Sequence, residues 1–268
     1  MDPVLEKFQP VFVTGRTIND TWFELLAQLW DKGRRYKVTS GSYAGSSRLE
    51  FDFVAGTIMS PSERPLAVYT PPGVPAPTTD SAIEEYFVNY LMNGKLSPNE
   101  HYRYSTWIVG GKYKIPQIRI EGKDLYDLEI TVPNQLQWCI EHFKKQGFGN
   151  NHCTIQVGYP ETNLAYDIPY SDETERRTSP CLRLIDLKII EQNQKSYSIS
   201  MVCYFRSWDL YSGFPENIGG LTLLLEYVAN ELTSSEIEVN PGSLSFVSKG
   251  LHCYDFQIEA VRLKLNKK

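Results

Sequence analysis

The segment 219–232 is apolar on nearly every side, and it limits the folds open to this chain more than any other stretch. A helix with that pattern buries its whole circumference, so a larger core must surround it. Upstream, two apolar runs at 182–190 and 196–205 flank the polar turn 192–194 and predict an antiparallel hairpin. A buried central helix packed with a mixed or antiparallel sheet predicts an α+β fold, which we expect to be a single domain over residues 1–268.

Helical periodicity between capping and terminating residues predicts three further helices. They are a helix over about 20–32 between Asn19-Asp20 and Gly33, a helix opened by a capping box from Ser81 to Glu84 and ended by Gly94, and a helix over about 134–146 ended by Gly147.

Three other stretches are predicted to be extended. A small-residue loop at 40–47 leads into 49–53, where apolar and acidic residues alternate as in a half-buried strand. Four prolines in 71–79 remove backbone donors and favour an irregular connection. The stretch 244–265 is expected to form a last strand.

Charge and hydropathy argue against two classes of protein. A formal net charge of −5 argues against binding nucleic acid through overall charge. No apolar run approaches the roughly 20 residues that span a bilayer, and the N-terminus lacks a basic region followed by an apolar block. We therefore expect a cytoplasmic protein with neither a nucleic-acid nor a membrane partner.

Cysteine and histidine spacing favours neither a disulfide framework nor a metal site. The five cysteines are odd in number and form no C-x-x-C pair. The four histidines show no H-x-x-x-H or H-E-x-x-H spacing, so we expect no metal.

Cys181 stands where a nucleophile would be placed. It follows Pro180 and the polar stretch 171–179 and precedes a predicted strand, so its thiol is expected at an exposed strand entrance. A lone cysteine is more often a buried apolar residue than a nucleophile, so the neighbouring motifs have to decide. The stretch 206–218, R-S-W-D-L-Y-S-G-F-P-E-N-I, lies between the hairpin and the apolar helix.

Three motifs in one order resemble the thymidylate synthase family. They are Pro180-Cys181 at the start of a strand, R-S-x-D-x-x-x-G-x-P-x-N-I over 206–218, and His252-x-Tyr254 on a later strand. The short archaeal, methanogen-type members are the more similar, through 83–87, 180–186 and 220–230, and the similarity covers nearly the whole chain. It implies a thymidylate synthase-like fold and a homodimer.

The resemblance implies roles that side-chain chemistry also supports. Cys181, as a thiolate, would add to C6 of a uracil ring, and Arg206 would favour the thiolate charge. Arg206 and Ser207 would together anchor the 5′-phosphate of a nucleotide. The amide of Asn217 matches both the O4 acceptor and the N3–H donor of uracil, whereas aspartate there would favour cytosine.

Four more residues take roles from the resemblance. His252 and Tyr254 look like the pair that holds the ribose 3′-hydroxyl, with a hydrogen-bonded core histidine as the alternative. Asp209 resembles the aspartate beside the base, with a helix-entry role as the alternative. Tyr104 resembles the tyrosine implicated in removal of the C5 proton.

Two assignments are ambiguous. Glu85 resembles the glutamate that shuttles protons at O4, a role that needs a partly buried carboxylate, but Glu84 is adjacent. The capping box assigns Glu84 to Ser81 and leaves Glu85 for chemistry. Arg35, beside Arg34, lies in the region of the family's mobile phosphate-binding arginine, and a solvated basic pair is an equal alternative.

The implied reaction is reductive methylation of dUMP to dTMP, with 5,10-methylenetetrahydrofolate or a methylene-tetrahydropterin analogue as carbon donor. Typical members carry two arginines that reach across the dimer where this chain has N-N-H at 150–152, and His152 would substitute only if protonated. Typical members also have a longer extension than the sixteen residues that follow His252. Such an extension closes over the substrate and excludes water, which would otherwise add to the methylene group on C5 and give a hydroxymethyl product. The alternative is therefore a 5-hydroxymethylase acting on dUMP or dCMP. A nucleotide-binding or regulatory protein without turnover is a third hypothesis.

Overall fold

A six-stranded mixed sheet is the largest element of the fold. The computed structural model describes residues 8–39, 43–93, 95, 103–115, 118–120, 123–125, 128–164 and 179–267. The strands lie in the order β1 (Pro10–Gly15), β4 (Phe53–Ile58), β13 (Glu238–Ser248), β11 (Ser196–Phe205), β10 (Leu182–Asn193) and β9 (Thr154–Gln156). β1 is parallel to β4 and β11 is parallel to β13, whereas the other neighbours are antiparallel.

A second sheet of four strands carries several of the predicted site residues. Its order is β12 (Trp208–Asp209), β14 (Leu251–Tyr254), β3 (Ser47–Glu50) and β2 (Arg34–Lys37). Two short antiparallel pairs lie outside both sheets, β5 (Gly111–Ile115) with β8 (Leu128–Val132) and β6 (Ile118–Ile120) with β7 (Lys123–Leu125).

The helices differ widely in length. They are α1 (Ile18–Lys32), α2 (Asp80–Tyr86), which continues as a π-helix (Phe87–Met92), α3 (Ser105–Ile108), α4 (Gln135–Gln146), α5 (Glu161–Leu164), α6 (Gly213–Leu232) and α7 (Ile258–Lys264), which follows a 3-10 turn (Asp255–Gln257). Among the described residues, none of these helices is long and apolar enough to cross a bilayer.

The longest helix, α6, lies in the core for most of its length. Twelve of its twenty residues are buried. A Cβ on Gly219 would lie 2.8 Å from the side chain of Ile83, and one on Gly220 would overlap the ring of Tyr86. The two glycines therefore let α2 pack directly on α6.

One face of the six-stranded sheet packs into the hydrophobic core. On β11, Ile199, Met201, Cys203 and Phe205 are buried, while the residues between them are half-buried or exposed. This period of two follows from strand geometry, in which alternate side chains point to opposite faces. The same cluster of buried side chains extends from Val11 on β1 to Val261 on α7, so both ends of the described chain share one core.

Several predictions are confirmed. The fold is mixed α+β, and β10 and β11 form the expected antiparallel hairpin. α4 follows Asn134, whose side chain accepts a hydrogen bond from the backbone N–H of Gln137, and ends at Gly147 with φ of 78°. Residues 71–79 contain neither helix nor strand.

Two predicted helix starts are wrong because a threonine further upstream is the better cap. The Thr17 hydroxyl accepts from the N–H of Asp20 and the Asp20 carboxylate accepts from that of Thr17, so α1 begins two residues before the predicted position 20. The Thr79 hydroxyl accepts from the N–H of Ala82 and caps α2, so Ser81 is a helical residue and not the cap. Gly94, the predicted end of that helix, lies outside the described residues, as do 40–42 of the predicted loop and most of the polar stretch before Cys181.

Two stretches predicted as single strands are divided between elements. The chain leaves the four-stranded sheet after Glu50 and enters the six-stranded sheet at Phe53. The N–H of Phe51 still bonds to the carbonyl of Leu251 on β14, so the chain crosses between the two sheets at 51–53. The stretch 244–265 contains the end of β13, then β14, the 3-10 turn and α7. Its last apolar residues, at 258, 261 and 265, recur at helical spacing, which explains why the strand does not continue.

The close contact between β1 and α1 allows a prediction about stability. A Cβ on Gly15 would lie 2.8 Å from the backbone nitrogen and 2.9 Å from the Cα of Thr21, and backbone atoms cannot move aside as a flexible side chain does. We expect Gly15→Ala to lower the free energy of unfolding by about 2 kcal/mol, measured by denaturant titration. Gly149→Ala is the matched control, because a Cβ there meets nothing within 4 Å. Equal midpoints for the two variants would contradict the prediction.

Candidate active site

Cys181 lies at a bend directly before β10, and its side chain is half-buried. The antiparallel register places the start of β10 opposite the end of β11, with Leu182 paired to Phe205. The next residue after β11, Arg206, donates its backbone N–H to the carbonyl of Cys181 at 2.9 Å. The hairpin therefore brings together two residues that are 25 positions apart in the sequence.

The guanidinium of Arg206 holds the segment in front of the thiol. Its Nη2 donates to the Ser179 carbonyl at 2.6 Å, and its Nε donates to the Pro180 carbonyl at 3.1 Å. The same Nη2 lies 4.0 Å from Sγ of Cys181. A fixed positive charge at this distance favours the thiolate form of a cysteine, which is the nucleophilic form.

Tyr104 contacts Leu182, the residue that follows Cys181. It is buried, and its hydroxyl oxygen accepts the backbone N–H of Leu182 at 3.3 Å. Its ring meets that of Tyr90 edge-on at 5.4 Å, and Tyr90 stacks on Tyr86 at 5.3 Å. A run of aromatic rings therefore leads from the π-helical segment to the residue next to the thiol.

Strands β12 and β14 bring Asp209 beside His252. The two residues are register partners, and the N–H groups of Trp208 and Leu210 bond to the carbonyls of Gly250 and His252 at 2.9 and 2.7 Å. Burial raises the pKa of Asp209, while donors including the Ser212 N–H and the Gln257 amide, at 3.0 and 2.8 Å, act in the opposite direction. Asp209 thus has a fixed orientation in a poorly hydrated place.

His252 is nearly inaccessible, with 2% of its surface exposed. Nδ1 lies 2.8 Å from the Gly250 carbonyl, which can only accept, so this nitrogen carries the proton. Burial lowers the pKa of His252 to about 4, so the ring is neutral at physiological pH. The other nitrogen, Nε2, is buried and has no hydrogen-bond partner among the described residues. A neutral ring with a buried unpaired acceptor is suited to a ligand that offers a hydroxyl.

Tyr254 connects the second sheet to the thiol. Its ring meets that of His252 edge-on at 4.7 Å. Burial raises the pKa of Tyr254 to about 12, and the negative charges of Asp209 and Cys181 contribute to that rise. Tyr254 therefore extends the group formed by Asp209 and His252.

Asn217 lies early in α6 and faces the same region. Its Oδ1 accepts a hydrogen bond from Nε1 of Trp208 at 2.9 Å. A Cβ on Gly213 would lie 3.4 Å from Cβ of Asp209 and 3.6 Å from Oδ1 of Asn217, so this glycine sits between the two polar side chains. Asn217 is therefore a helical residue whose amide oxygen is held by Trp208.

The remaining predicted residues are less closely associated with the thiol. Ser207 lies against Gly250, since a Cβ on that glycine would be 3.5 Å from the serine Cα. Arg35 is ion-paired with Asp255, one residue beyond Tyr254, and is 61% exposed at its side chain. Arg34 pairs with Asp52 at 3.0 Å. Arg34 and Arg35 are thus not a solvated basic pair, because each is in a separate ion pair.

Neither Glu84 nor Glu85 has the partly buried environment that the proposed proton transfer requires, since both side chains are exposed. A catalytic role for Glu85 stays a prediction. His152 is also exposed, and its Nδ1 lies 3.2 Å from Nε2 of His142. Among the described residues, no three His, Cys, Asp or Glu side chains are grouped as a metal would require.

Sequence reasoning missed a buried carboxylate, that of Glu50 on β3. Only 9% of this residue is exposed, and burial raises the pKa of its carboxyl group. Glu50 is the register partner of His252. The apolar neighbours Leu49 and Phe51 were the available sign that Glu50 is buried. The alternation of apolar and acidic residues instead predicted that Glu50 lies on the polar face of the strand.

Comparison with known proteins identifies relatives along most of the chain. The family model for thymidylate synthase matches residues 112–268, which include the thiol, the arginine, the asparagine and the histidine of this site. A protein of Methanosarcina mazei named "putative thymidylate synthase" is 25% identical over 253 residues, covering 93% of this chain and 92% of the relative. Proteins of the same name are 24% identical over 253 residues in Methanosarcina acetivorans and 33% identical over 145 residues in Methanosarcina barkeri, the latter covering 53% of this chain and 60% of the relative.

Proposed function

The chain belongs to the thymidylate synthase family, and from that premise we propose that it converts dUMP to dTMP by reductive methylation at C5. The observation that carries the proposal is the 4.0 Å approach of the Arg206 guanidinium to Sγ of Cys181 at the entrance of β10. A thiol with a fixed cation beside it, half-buried next to polar groups that suit a nucleotide, is the arrangement that covalent attack on a pyrimidine requires.

Cys181 acts as the nucleophile. Its thiolate adds to C6 of the uracil ring, which forms an S–C6 bond and moves an electron pair to C5. The nucleophilic C5 then accepts the one-carbon unit, C5 loses its proton, and the S–C6 bond breaks at the end of the cycle with return of the thiolate. The Tyr104 hydroxyl, one residue from the thiol, assists removal of the C5 proton.

The carbon donor is a methylene-tetrahydropterin, either 5,10-methylenetetrahydrofolate or an analogue, and when bound it supplies both the carbon and the hydride. The rings of Tyr86, Tyr90 and Tyr104 support this assignment, because they offer flat apolar surfaces that end beside Leu182. Exclusion of water by this aromatic run favours a methyl over a hydroxymethyl product.

The base and the phosphate are read by residues of the 206–218 motif. Asn217 contacts O4 and N3–H of uracil, with Asp209 beside the base. The Oδ1 of Asn217 retains a lone pair after accepting from Trp208, so it can still accept from N3–H. Arg206 and Ser207 bind the 5′-phosphate. Arg35, which lies on β2 and is paired with Asp255, adds a further positive charge.

The sugar is held by His252 and Tyr254. The unpaired Nε2 of His252 is an acceptor, so it takes the 3′-hydroxyl as donor, and the Tyr254 hydroxyl completes the contact. A phosphate group needs hydrogen-bond donors, whereas Nε2 of His252 offers an acceptor. This part of the site therefore fits a sugar hydroxyl better than a phosphate.

A homodimer of single-domain subunits forms through the exposed face of the six-stranded sheet. Val202, Ile190 and Phe12 are 42%, 51% and 73% exposed, and the β10–β11 register puts Val202 and Ile190 on the same side. Sheet packing against a second copy would cover these side chains. A sedimentation experiment that finds only monomer at micromolar concentration would contradict this part of the proposal.

Mass spectrometry of the nucleotide product tests the function directly. The protein is incubated with dUMP and methylenetetrahydrofolate, with Cys181→Ala in parallel. A methyl product made only by the unaltered protein supports the synthase, whereas a hydroxymethyl product identifies the hydroxymethylase. If dUMP and dCMP give no product with folate or another methylene-tetrahydropterin, the chain is a nucleotide-binding protein and the proposal fails.

A further inference from the structure

Strand β3 contributes two charged residues beside the proposed sugar-binding pair, His252 and Tyr254, on the neighbouring strand β14. Arg48 and Glu50 are two positions apart, so their side chains lie on one side of the strand. In the antiparallel register with β14, Glu50 is opposite His252 and Arg48 is opposite Tyr254. Directly opposed residues of an antiparallel pair are close enough for their side chains to interact. The four side chains therefore form one cluster, and the proposed reaction uses only the two on β14.

The carboxylate of Glu50 contacts two charged or polar side chains, those of Arg48 and His252. Its Oε2 lies 2.7 Å from Nε of Arg48 and 3.7 Å from Nδ1 of His252. A Cβ on Gly250 would come within 3.6 Å of the same oxygen, so glycine at this position leaves room for the carboxylate beside the 250–252 backbone. Within the described residues neither Oε2 nor the Arg48 Nε is in an aligned hydrogen bond, so their contact is an ion pair.

The Glu50 carboxylate and the Gly250 carbonyl lie on the same side of the His252 ring. Nδ1 points toward Gly250 and Glu50, and the unpaired Nε2 is at the opposite side of the ring. A negative charge near Nδ1 stabilises a proton on that nitrogen, and a proton on Nδ1 leaves Nε2 as a hydrogen-bond acceptor. A carboxylate behind an imidazole is a common means of fixing ring orientation and tautomer.

We propose that Glu50, paired with Arg48, is a positioning residue that acts together with the Gly250 carbonyl to hold His252 in its Nδ1–H tautomer, so that Nε2 accepts a hydrogen bond from a sugar hydroxyl of the bound nucleotide. The identity of the ligand rests on the proposed function, whereas the control of the tautomer does not. Glu50 does not act on the reacting atoms, because it reaches the ligand only through the histidine ring.

A purely structural ion pair would behave differently. In that case Arg48 and Glu50 would join β3 to β2 and β14, and loss of the pair would lower stability without changing the ring of His252. The neighbouring pair of Arg34 and Asp52 provides the comparison, since Asp52 is buried to a similar degree, with 8% of its side chain exposed against 11% for Glu50. Asp52 receives the Gln9 N–H at 2.8 Å and the Tyr36 hydroxyl at 3.2 Å, and neither contact involves His252.

The test compares Glu50→Gln with Asp52→Asn in the full-length protein. Imidazole ¹⁵N chemical shifts report which ring nitrogen is protonated, and a His252→Gln spectrum identifies the His252 signals among the four histidines. We expect the unaltered protein and Asp52→Asn to show the Nδ1–H form. Glu50→Gln removes the negative charge and brings an amide donor toward Nδ1, in competition with the Gly250 carbonyl, so we expect a mixture of tautomers.

Substrate kinetics provides the second readout. We expect Glu50→Gln to raise KM for the nucleotide roughly tenfold, with a smaller change in kcat, because an acceptor for the sugar hydroxyl is lost. Asp52→Asn should leave KM within about twofold of the unaltered protein. An unchanged His252 spectrum in a folded Glu50→Gln variant would overturn the inference, as would equal KM values for the two variants.

Glu50→Asp keeps the test decisive if the glutamine variant does not fold. Aspartate retains the charge but withdraws it by one methylene, so we expect a partial tautomer shift and a KM between those of the unaltered protein and the glutamine variant. An aspartate variant identical to the unaltered protein in both readouts would then overturn the inference. Absence of any nucleotide product would count against the proposed function alone, since the ¹⁵N measurement needs no turnover.

Discussion

Alanine in place of Cys181 is expected to reduce turnover by a factor on the order of 10⁴ or more, because the covalent bond to C6 can no longer form. The hydrogen bond between the Arg206 N–H and the carbonyl at position 181 involves only backbone, so the strand entrance should keep its shape. Nucleotide affinity is expected to change by less than about threefold. Product formation in the steady state measures the first effect, and isothermal titration with dUMP measures the second.

Cys203→Ala is the matched control for this experiment. Cys203 lies on β11 of the same hairpin, it is fully buried, and burial raises the pKa of its thiol, so it is not a thiolate at neutral pH. Its loss should cost some stability and leave turnover intact. Normal turnover by Cys181→Ala would refute the nucleophile assignment, and loss of turnover in both variants would indicate damage to the hairpin instead.

Aspartate in place of Asn217 is expected to shift base preference from uracil toward cytosine. The new side chain can still accept the hydrogen bond from Nε1 of Trp208, so the local structure is preserved. The amide donor toward O4 is replaced by an acceptor, which repels O4 and suits the amino group of cytosine. We expect kcat/KM for dUMP to fall by roughly 10²-fold, with improved binding of dCMP, both measured by competition kinetics.

Asn230→Asp provides the same chemical change near the other end of α6. Asn230 is exposed, so its substitution should alter neither base preference nor kcat/KM. An unchanged preference in Asn217→Asp would show that another group reads the base.

The sequence predicted the hairpin and the residues at its open end, and the structure confirms the hairpin. Pro180, Cys181 and Arg206 could be placed at one end of a hairpin because two apolar runs with a polar turn between them fix the pairing. The start of α6 was placed too late, at 219, because residues 213–217 are partly polar. Asn217 turns toward Trp208 and the region of Asp209, so its polarity indicates a site and not the end of a helix.

Pairing between strands that are far apart in the sequence explains why the burial of Glu50 was not predicted. Glu50 is buried because β14, about two hundred residues later in the chain, closes over β3, and alternation within 49–53 contains no record of that partner. The choice between Glu84 and Glu85 stays a prediction. The cap that separated them was assigned to Ser81, whereas Thr79 caps the helix and both glutamates remain exposed.

The residue proposed to read the base sits on α6, the longest helix of the described structure, in which twelve of twenty residues are buried. Beyond Asn217, α6 continues for fifteen residues through the core, so the helix cannot shift to accommodate a differently shaped base without disturbing packing throughout the protein. Because Asn217 lies on a helix and not on a loop, a loop movement cannot adapt this part of the site to a different base. In an evolutionary lineage with this architecture, a change of base specificity should therefore arise abruptly, by exchange of a single side chain, and not by gradual remodelling of the backbone.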